Sequence, residues 1–132
     1  MFPGIHDSEI VAYSADSRNA ELTLTFAPGT GSAIDEFRLI FRGVAAHQFI
    51  YPELPSIVLD LSELPAERLL QKEWPNLSEG TRQCGWPGPW ATSLEAAIAY
   101  CASAGLKGYE LDQSYGMSGW ILAKSVERVG GP

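Results

Sequence analysis

His6 and His47 are the only imidazoles in the chain. Imidazole is the side chain best placed to move protons near neutral pH, and with carboxylates it also builds zinc or iron sites. Asp7 follows His6, and His47 sits in the run AAHQFIY. His6, Asp7 and His47 are therefore the candidate residues for a hydrolytic or metal-dependent centre. Their spacing does not assemble them, because neither HxH nor HExxH is present, so no metal or cofactor is expected. A His-Asp dipeptide also reads as a hydrogen-bonded entry to a strand, whose successive side chains point to opposite faces. His6 could serve as a base only if the fold brought Asp60 or Glu110 to it.

Three carboxylates, Asp60, Glu110 and Asp112, lie in strand-like runs. Paired carboxylates can perform glycoside hydrolysis, but alternation along a solvated face accounts for Glu110 and Asp112 as well. Cys84 would need a neighbouring base to act as a nucleophile, and it reads more simply as a structural thiol. Gly116 to Gly119 lacks the lysine and the spacing of a phosphate loop. The stretch Cys84-Gly85-Trp86-Pro87-Gly88-Pro89-Trp90 cannot be a regular helix or a central strand. Trp86 and Trp90 are either plugs at the edge of the core or anchors of a binding surface, where tryptophan is enriched.

The elements that must position these groups centre on Asp35 to Tyr51. Phe37, Leu39 and Phe41 alternate with Arg38, Ile40 and Arg42, the period of a strand with one buried face. Gly43 interrupts the run and marks a bulge or bend, and Pro52 and Pro55 end it. Ser8–Ala15 and Glu21–Phe26 read as a strand pair joined by the turn formers Asp16 to Asn19. Pro28 to Ser32 is a loop. Ser56–Leu61 is a short strand, and Ser62-Glu63-Leu64-Pro65 starts a helix that Trp74-Pro75 should end or kink. A second short helix follows over Leu77–Cys84. Thr92 to Glu95 has capping-box spacing, and Leu94, Ala97, Ile98, Cys101 and Ala102 recur on one helical face up to the terminator Gly105. Lys107–Ser114 and Gly119–Arg128 form a closing hairpin, and Val129 to Pro132 a frayed tail. The expectation is one α+β domain over residues 1–132: a mostly antiparallel sheet of about six strands, covered on one face by two or three helices.

At 132 residues, 45% hydrophobic and 19% charged, the composition is that of a globular domain. Apolar runs fall short of the ~18 residues that span a membrane, and the N-terminus lacks a signal peptide's basic start and apolar core. A cytoplasmic protein with Cys84 and Cys101 as thiols is expected. The net charge of −7 argues against a nucleic-acid footprint. It serves solubility, or an acidic face that steers in a basic partner.

The segments GIHDSEIVAY, FRLIFRGVAAHQF, IVLDLSELPAERLL and SYGMSGWILAKSVE together resemble small bacterial proteins grouped with the immunity proteins of toxin systems. The likeness spans nearly the whole chain. It implies a compact binding protein with no catalytic residues, whose partner-specific variation would sit at Cys84–Pro87 and in the loop at Pro28. The leading expectation is thus a non-enzymatic, protein-binding domain that neutralises a toxin, with Trp86, Trp90, His6, Asp7 and His47 as candidate binding residues. The alternative is a small hydrolase or metal-dependent enzyme using His6, Asp7 and His47. A third reading is a homo-oligomer that buries a strand edge or Trp86 and Trp90 between copies.

Overall fold

The computed structural model describes residue 2 and residues 5–28, 35–50 and 56–131. Most of the expected Pro28–Ser32 loop, and the strand end at Pro52 and Pro55, lie outside those residues. The architecture is α+β: one antiparallel sheet with two α-helices against it. The strands are β1 (Glu9–Asp16), β2 (Glu21–Ala27), β3 (Phe37–Arg42), β4 (Ala46–Ile50), β5 (Ser56–Pro65), β6 (Lys107–Tyr115), β7 (Ser118–Ala123) and β8 (Ser125–Gly130). The helices are α1 (Ala66–Cys84) and α2 (Leu94–Ala104), with a single 3-10 turn at Pro89–Ala91 between them. The sheet has eight strands in the order β4-β7-β6-β5-β1-β2-β3-β8, not about six.

The difference in count has a physical cause. Arg42 pairs with Ser125 at the end of the β3–β8 ladder, and Ala46 with Leu122 at the start of the β4–β7 ladder. Three residues, 43–45, thus face two, 123–124. That is a β-bulge, which bends the pair without breaking it. Ala45 N–H donates to Leu122 O and Lys124 N–H to Arg42 O across the bend, each at 2.9 Å. Gly43 takes φ +65 there, and a Cβ on it would run into the Lys124 side chain, so the bulge suggested by Gly43 in the sequence is present. Each long strand counts twice because it turns this corner. The corner also joins the two ends of the strand order, and β1 meets β5 at Glu9↔Ile57 and Ile10↔Ser56. Hydrogen bonds therefore run round a closed barrel, the arrangement that removes most open sheet edges.

Inside the barrel the period-two residues converge. Leu22, Leu24 and Phe26 of β2, Phe37, Leu39 and Phe41 of β3, Val58 and Leu61 of β5, Tyr109 and Leu111 of β6, and Ile121 of β7 are all buried in one cluster. Phe26 stacks on Phe37, and Phe41 meets Tyr109 edge-on. A second cluster lies outside the barrel. There Leu69, Leu70 and Leu77 of α1 and Ala97 and Cys101 of α2 cover Ala46 of β4 and Trp120 and Leu122 of β7. β7 is accordingly apolar throughout its second half, with Trp120, Ile121, Leu122 and Ala123 all buried.

Several local expectations are corrected. β5 continues to Pro65, in register with Lys107, so the helix begins at Ala66 rather than at Ser62. Leu64 and Glu63 complete a ten-residue strand, and this ladder outweighs their modest helical preference. Pro75 neither ends α1 nor splits it; the helix runs unbroken for 19 residues. The carbonyl that loses its partner belongs to Gln71, on the exposed side, where water can satisfy it. Leu70 and Leu77, on either side of the proline, stay anchored on the sheet. The cap of α2 is Ser93, not Thr92: the Ser93 hydroxyl accepts from Ala96 N–H at 3.1 Å. Gly105 ends α2 in the left-handed conformation, as its position implied. Of the expected frayed tail, Val129 and Gly130 are instead the end of β8, where Gly130 pairs with Phe37, and Pro132 lies outside the described residues.

Candidate functional site: an acidic cleft beside the first helix

Cross-strand registers determine which outward-facing side chains become neighbours. Gln48 of β4 pairs with Trp120 of β7, and Trp120 with Glu110 of β6. Directly paired residues in an antiparallel sheet share a face, so these three form one row on the outside of the barrel. Ile50 and Ser118 pair in the next row, which also carries Asp112, two residues from Glu110. The row on the other side holds Ala46, Leu122 and Gly108 and lies under the helices. The outer face thus grades from an apolar row beneath α1 to an open row of polar and acidic groups.

α1 is anchored across the middle row. Lys72 ion-pairs with Glu110, and Asn76, one turn later, donates to Gln48. The two bridges reach the strands on either side of β7, so the helix straddles Trp120. A missing Cβ at Gly108 gives this crossing its room, because that atom would lie 3.1 Å from the Leu69 side chain. Along the edge of this crossing runs a cleft of 170 Å³ lined by Gln48, Ile50, Glu73, Glu110, Asp112 and Trp120, among others.

The electrostatics of the cleft are one-sided. Glu73, Glu110 and Asp112 contribute three carboxylates, and Lys72 is the cation among them. The Lys72 ammonium is held above the usual lysine range, first by its hydrogen bond to Glu110 and then, against some desolvation, by the charges of Glu110, Glu73 and Asp112. Glu110 is taken by Lys72; neither Glu73 nor Asp112 has an ion-pair partner among the described residues. Trp120, only 4% exposed, contributes to the cleft wall, and its Nε1–H is buried with no acceptor among the described residues. A buried donor left unpaired costs about 1–3 kcal/mol.

Of the residues singled out in the sequence, Glu110 and Asp112 line this cleft, whereas the candidate binding residues His6, Asp7, His47, Trp86 and Trp90 are not among its lining residues. His6 is exposed, with Nδ1 2.9 Å from the Leu59 carbonyl of β5 and Nε2 3.4 Å from Asp7. Asp7 stands at φ +62 in the turn before β1, and its backbone N–H donates to Val58 O. His47 is half-buried in β4, tilted against Phe49 with ring centroids 5.5 Å apart, and burial holds its pKa below the usual imidazole value. In the strand order β7 and β6 lie between β4, which carries His47, and β5, to which His6 is bonded. The described residues contain no group of three His, Cys, Asp or Glu side chains arranged to hold a metal. Beside His47 a second, more apolar cavity of 250 Å³ opens between the β1–β2 turn and residues 44–47.

Trp86 and Trp90 have different surroundings. Trp86 lies 5.9 Å from Trp120, centroid to centroid, and fits over Gly80 of α1, where a Cβ would collide with its ring. The Thr81 hydroxyl lies within donating distance of the carbonyls of Leu77, Trp86 and Ala91, at 3.1, 3.0 and 3.3 Å, and so ties this loop to α1. Trp86 is a plug behind the cleft. Trp90 stacks on Tyr100 of α2, centroids 5.0 Å apart, and that pair reaches the surface with Tyr100 40% exposed.

Trp120, Gln48, Glu73 and Asn76 were not singled out by sequence reasoning. The alternation of Glu110 and Asp112 was visible and did place them on one face. What no local pattern could supply is that β7 runs beside them and that α1 crosses at Lys72 and Asn76. Cys84 is exposed and Cys101 buried, both as free thiols, with burial pushing Cys101 up to about 11. No helix among the described residues is long and apolar enough to cross a membrane. Neither a protein-family model nor a curated protein sequence matches the chain.

Proposed function

We propose that this chain is a non-enzymatic protein-binding domain of the immunity type, and that it holds a basic partner at the cleft beside α1. The observation that carries this reading is that, among the described residues, three carboxylates surround the cleft against the single ammonium of Lys72. The net charge of −7 adds long-range attraction of the same sign. Rigid elements hold the site: α1 is bridged to β6 and β4, and Trp86 backs it from the far side. A surface preorganised in this way loses little conformational entropy on binding. A toxin with a basic active-site rim is a partner of the right chemistry, because an acidic surface laid over it would exclude its substrate.

The test is capture of the tagged full chain from its own cells and mixing with the products of adjacent genes, followed by identification and mass measurement of any complex. The expected result is a stoichiometric basic partner whose affinity falls as salt rises. The double substitution Glu73→Gln and Asp112→Asn should weaken that complex by about tenfold or more. A complex indifferent to salt and to both substitutions would move the interface away from the cleft. No stoichiometric complex at all would remove the binding-domain reading.

A further inference from the structure

We infer that the cavity beside His47 is a binding site for a small neutral molecule with an apolar body of one ring and a single hydroxyl, the chemistry of a phenol. The inference goes beyond the protein-binding reading and does not depend on it. The cavity follows from the corner that closes the barrel. β2 runs beside β3 as far as Glu21↔Arg42, and Val44 N–H then donates to Ala20 O at 2.9 Å. Past that link β4 pairs with no strand but β7 among the described residues. The β1–β2 hairpin and β4 therefore part, and a space of 250 Å³ opens between them. The mouth of a barrel is a preferred place for a small-molecule site. Ala15 pairs with Leu22 and so shares the inner face with it. Leu22 is buried there and Ala15 is exposed, so the inner face is open to solvent at this end. Leu22, Val44 and four alanines line the cavity, and the short alanine side chains leave it unfilled.

Size and polar groups select the ligand. An apolar cavity of ~150 Å³ accepts benzene, so 250 Å³ takes one ring with a substituent. The ionisable groups in the lining are Asp16, Glu21 and His47. Asp16 accepts hydrogen bonds from the Asn19 side chain and from the backbone N–H groups of Asn19 and Arg18. Those of Asn19 are the main cause that holds its carboxyl below the usual range. Glu21 ion-pairs with Arg42. Both carboxylates are thus already engaged: they repel an anion and call for no further cation. His47 is different. Its half-buried ring meets Phe49 and makes no hydrogen bond with a described residue. Burial favours the neutral ring, which offers one N–H donor and one bare nitrogen acceptor. A hydroxyl can serve either of them, while the apolar walls take the ring that bears it.

The probes are phenol, toluene and benzoate, each titrated into the full chain and followed by the Val44 methyl resonances. Phenol should move them saturably. Toluene, of nearly the same size, should bind about fivefold more weakly for want of the hydrogen bond, and benzoate should not bind. Ala15→Phe puts a ring of the protein's own into the cavity from an exposed position, where substitutions disturb the fold little, and it should abolish the response. His47→Phe keeps a ring without the hydrogen bond and should bring phenol down to the affinity of toluene. Glu73→Gln with Asp112→Asn, at the cleft on the outer face, should change neither affinity. The inference is overturned if no probe binds, if toluene or benzoate binds the native chain as tightly as phenol, or if Ala15→Phe leaves binding intact. A preference for phenol that persists in His47→Phe would also overturn it, because the hydroxyl would then be held elsewhere. Should His47→Phe fail to fold, the His47 ring-nitrogen resonances of the native chain decide the same point. Phenol should move one of them far more than toluene does, and equal shifts would overturn the inference.

Discussion

The inner face of β7 presents Ile121 and Ala123 to the barrel, and its outer face presents Trp120 and Leu122 to the helices. Both faces are buried. On the inner face the packing is apolar and comes from other strands of the closed sheet. On the outer face only half the strand is under α1; the rest borders Glu73, Glu110 and Asp112, and the Trp120 indole N–H has no acceptor among the described residues. One strand thus serves as wall of a core on one side and floor of a site on the other. The contrast separates residues retained for packing from residues whose chemistry exceeds what packing requires. Substitutions on the two faces should therefore behave differently.

Ile121 is fully buried in the barrel interior. Ile121→Ala should cost about 4 kcal/mol, the transfer loss plus the cavity left in a closed barrel that relaxes poorly. Thermal unfolding would show this as a fall of roughly 15 °C. A much smaller fall would mean that the barrel can collapse around the gap and is less tightly closed than its hydrogen bonding indicates.

Gly119 follows in size. It pairs with Phe49, and a Cβ there would collide with the Gln48 carbonyl and press on the Phe49 ring. Gly119→Ala should cost about 3 kcal/mol, as overpacking against backbone that cannot yield without breaking the β4–β7 ladder. Chemical denaturation should give a lower midpoint. Because Gln48 lines the cleft, the same variant should also disturb the Trp120 indole resonance.

These two residues show what the sequence made legible and what it did not. The alternation in β2 and β3 placed Leu22, Leu24, Phe26, Phe37, Leu39 and Phe41 inward, and all six are buried. Gly43 marked a bend, and Gly105 a helix end. Such signals are local, set by side-chain period and by glycine's access to positive φ. The closure of the sheet and the cleft were not legible, because both depend on register between strands distant in the chain. Glu110 and Trp120 meet only through the β6–β7 ladder, and Gln48 joins them from a strand about 70 residues earlier. Pro75 misled for a related reason: proline removes one hydrogen bond locally, whereas Leu69, Leu70 and Leu77 hold α1 through tertiary packing.

Trp120→Phe tests the outer face. On the inner face, trimming a large side chain only loses contacts. Here it also removes a buried donor without an acceptor among the described residues, whose cost of about 1–3 kcal/mol offsets the smaller ring. The expected result is a stability change within about 1 kcal/mol of zero, in either direction, read by equilibrium denaturation. A loss comparable to that of Ile121→Ala would mean that the indole is retained for packing, and the two faces of β7 would then differ only in location.

The smallest effect expected is that of His47, which stands between the two regimes. It shares the inner face with its cross-strand partner Ile121, yet it also borders the open cavity at the β1–β2 turn. Burial holds its pKa below the ordinary imidazole value, so the folded protein prefers the neutral ring, whereas the unfolded chain takes up a proton near pH ~6.5. The stabilising preference is complete above that pH and declines as pH falls through it, because the unfolded state then binds more protons. Asp16 and Glu21 line the same cavity and would attract an imidazolium, which limits the loss. Thermal midpoints from about pH 7.5 to about pH 5 should fall slightly more for the native chain than for His47→Gln. If the native chain instead gains on the variant as pH falls, Asp16 and Glu21 outweigh burial. The end of the barrel's inner face would then behave as the outer cleft does, as a place where acidic groups await a cation.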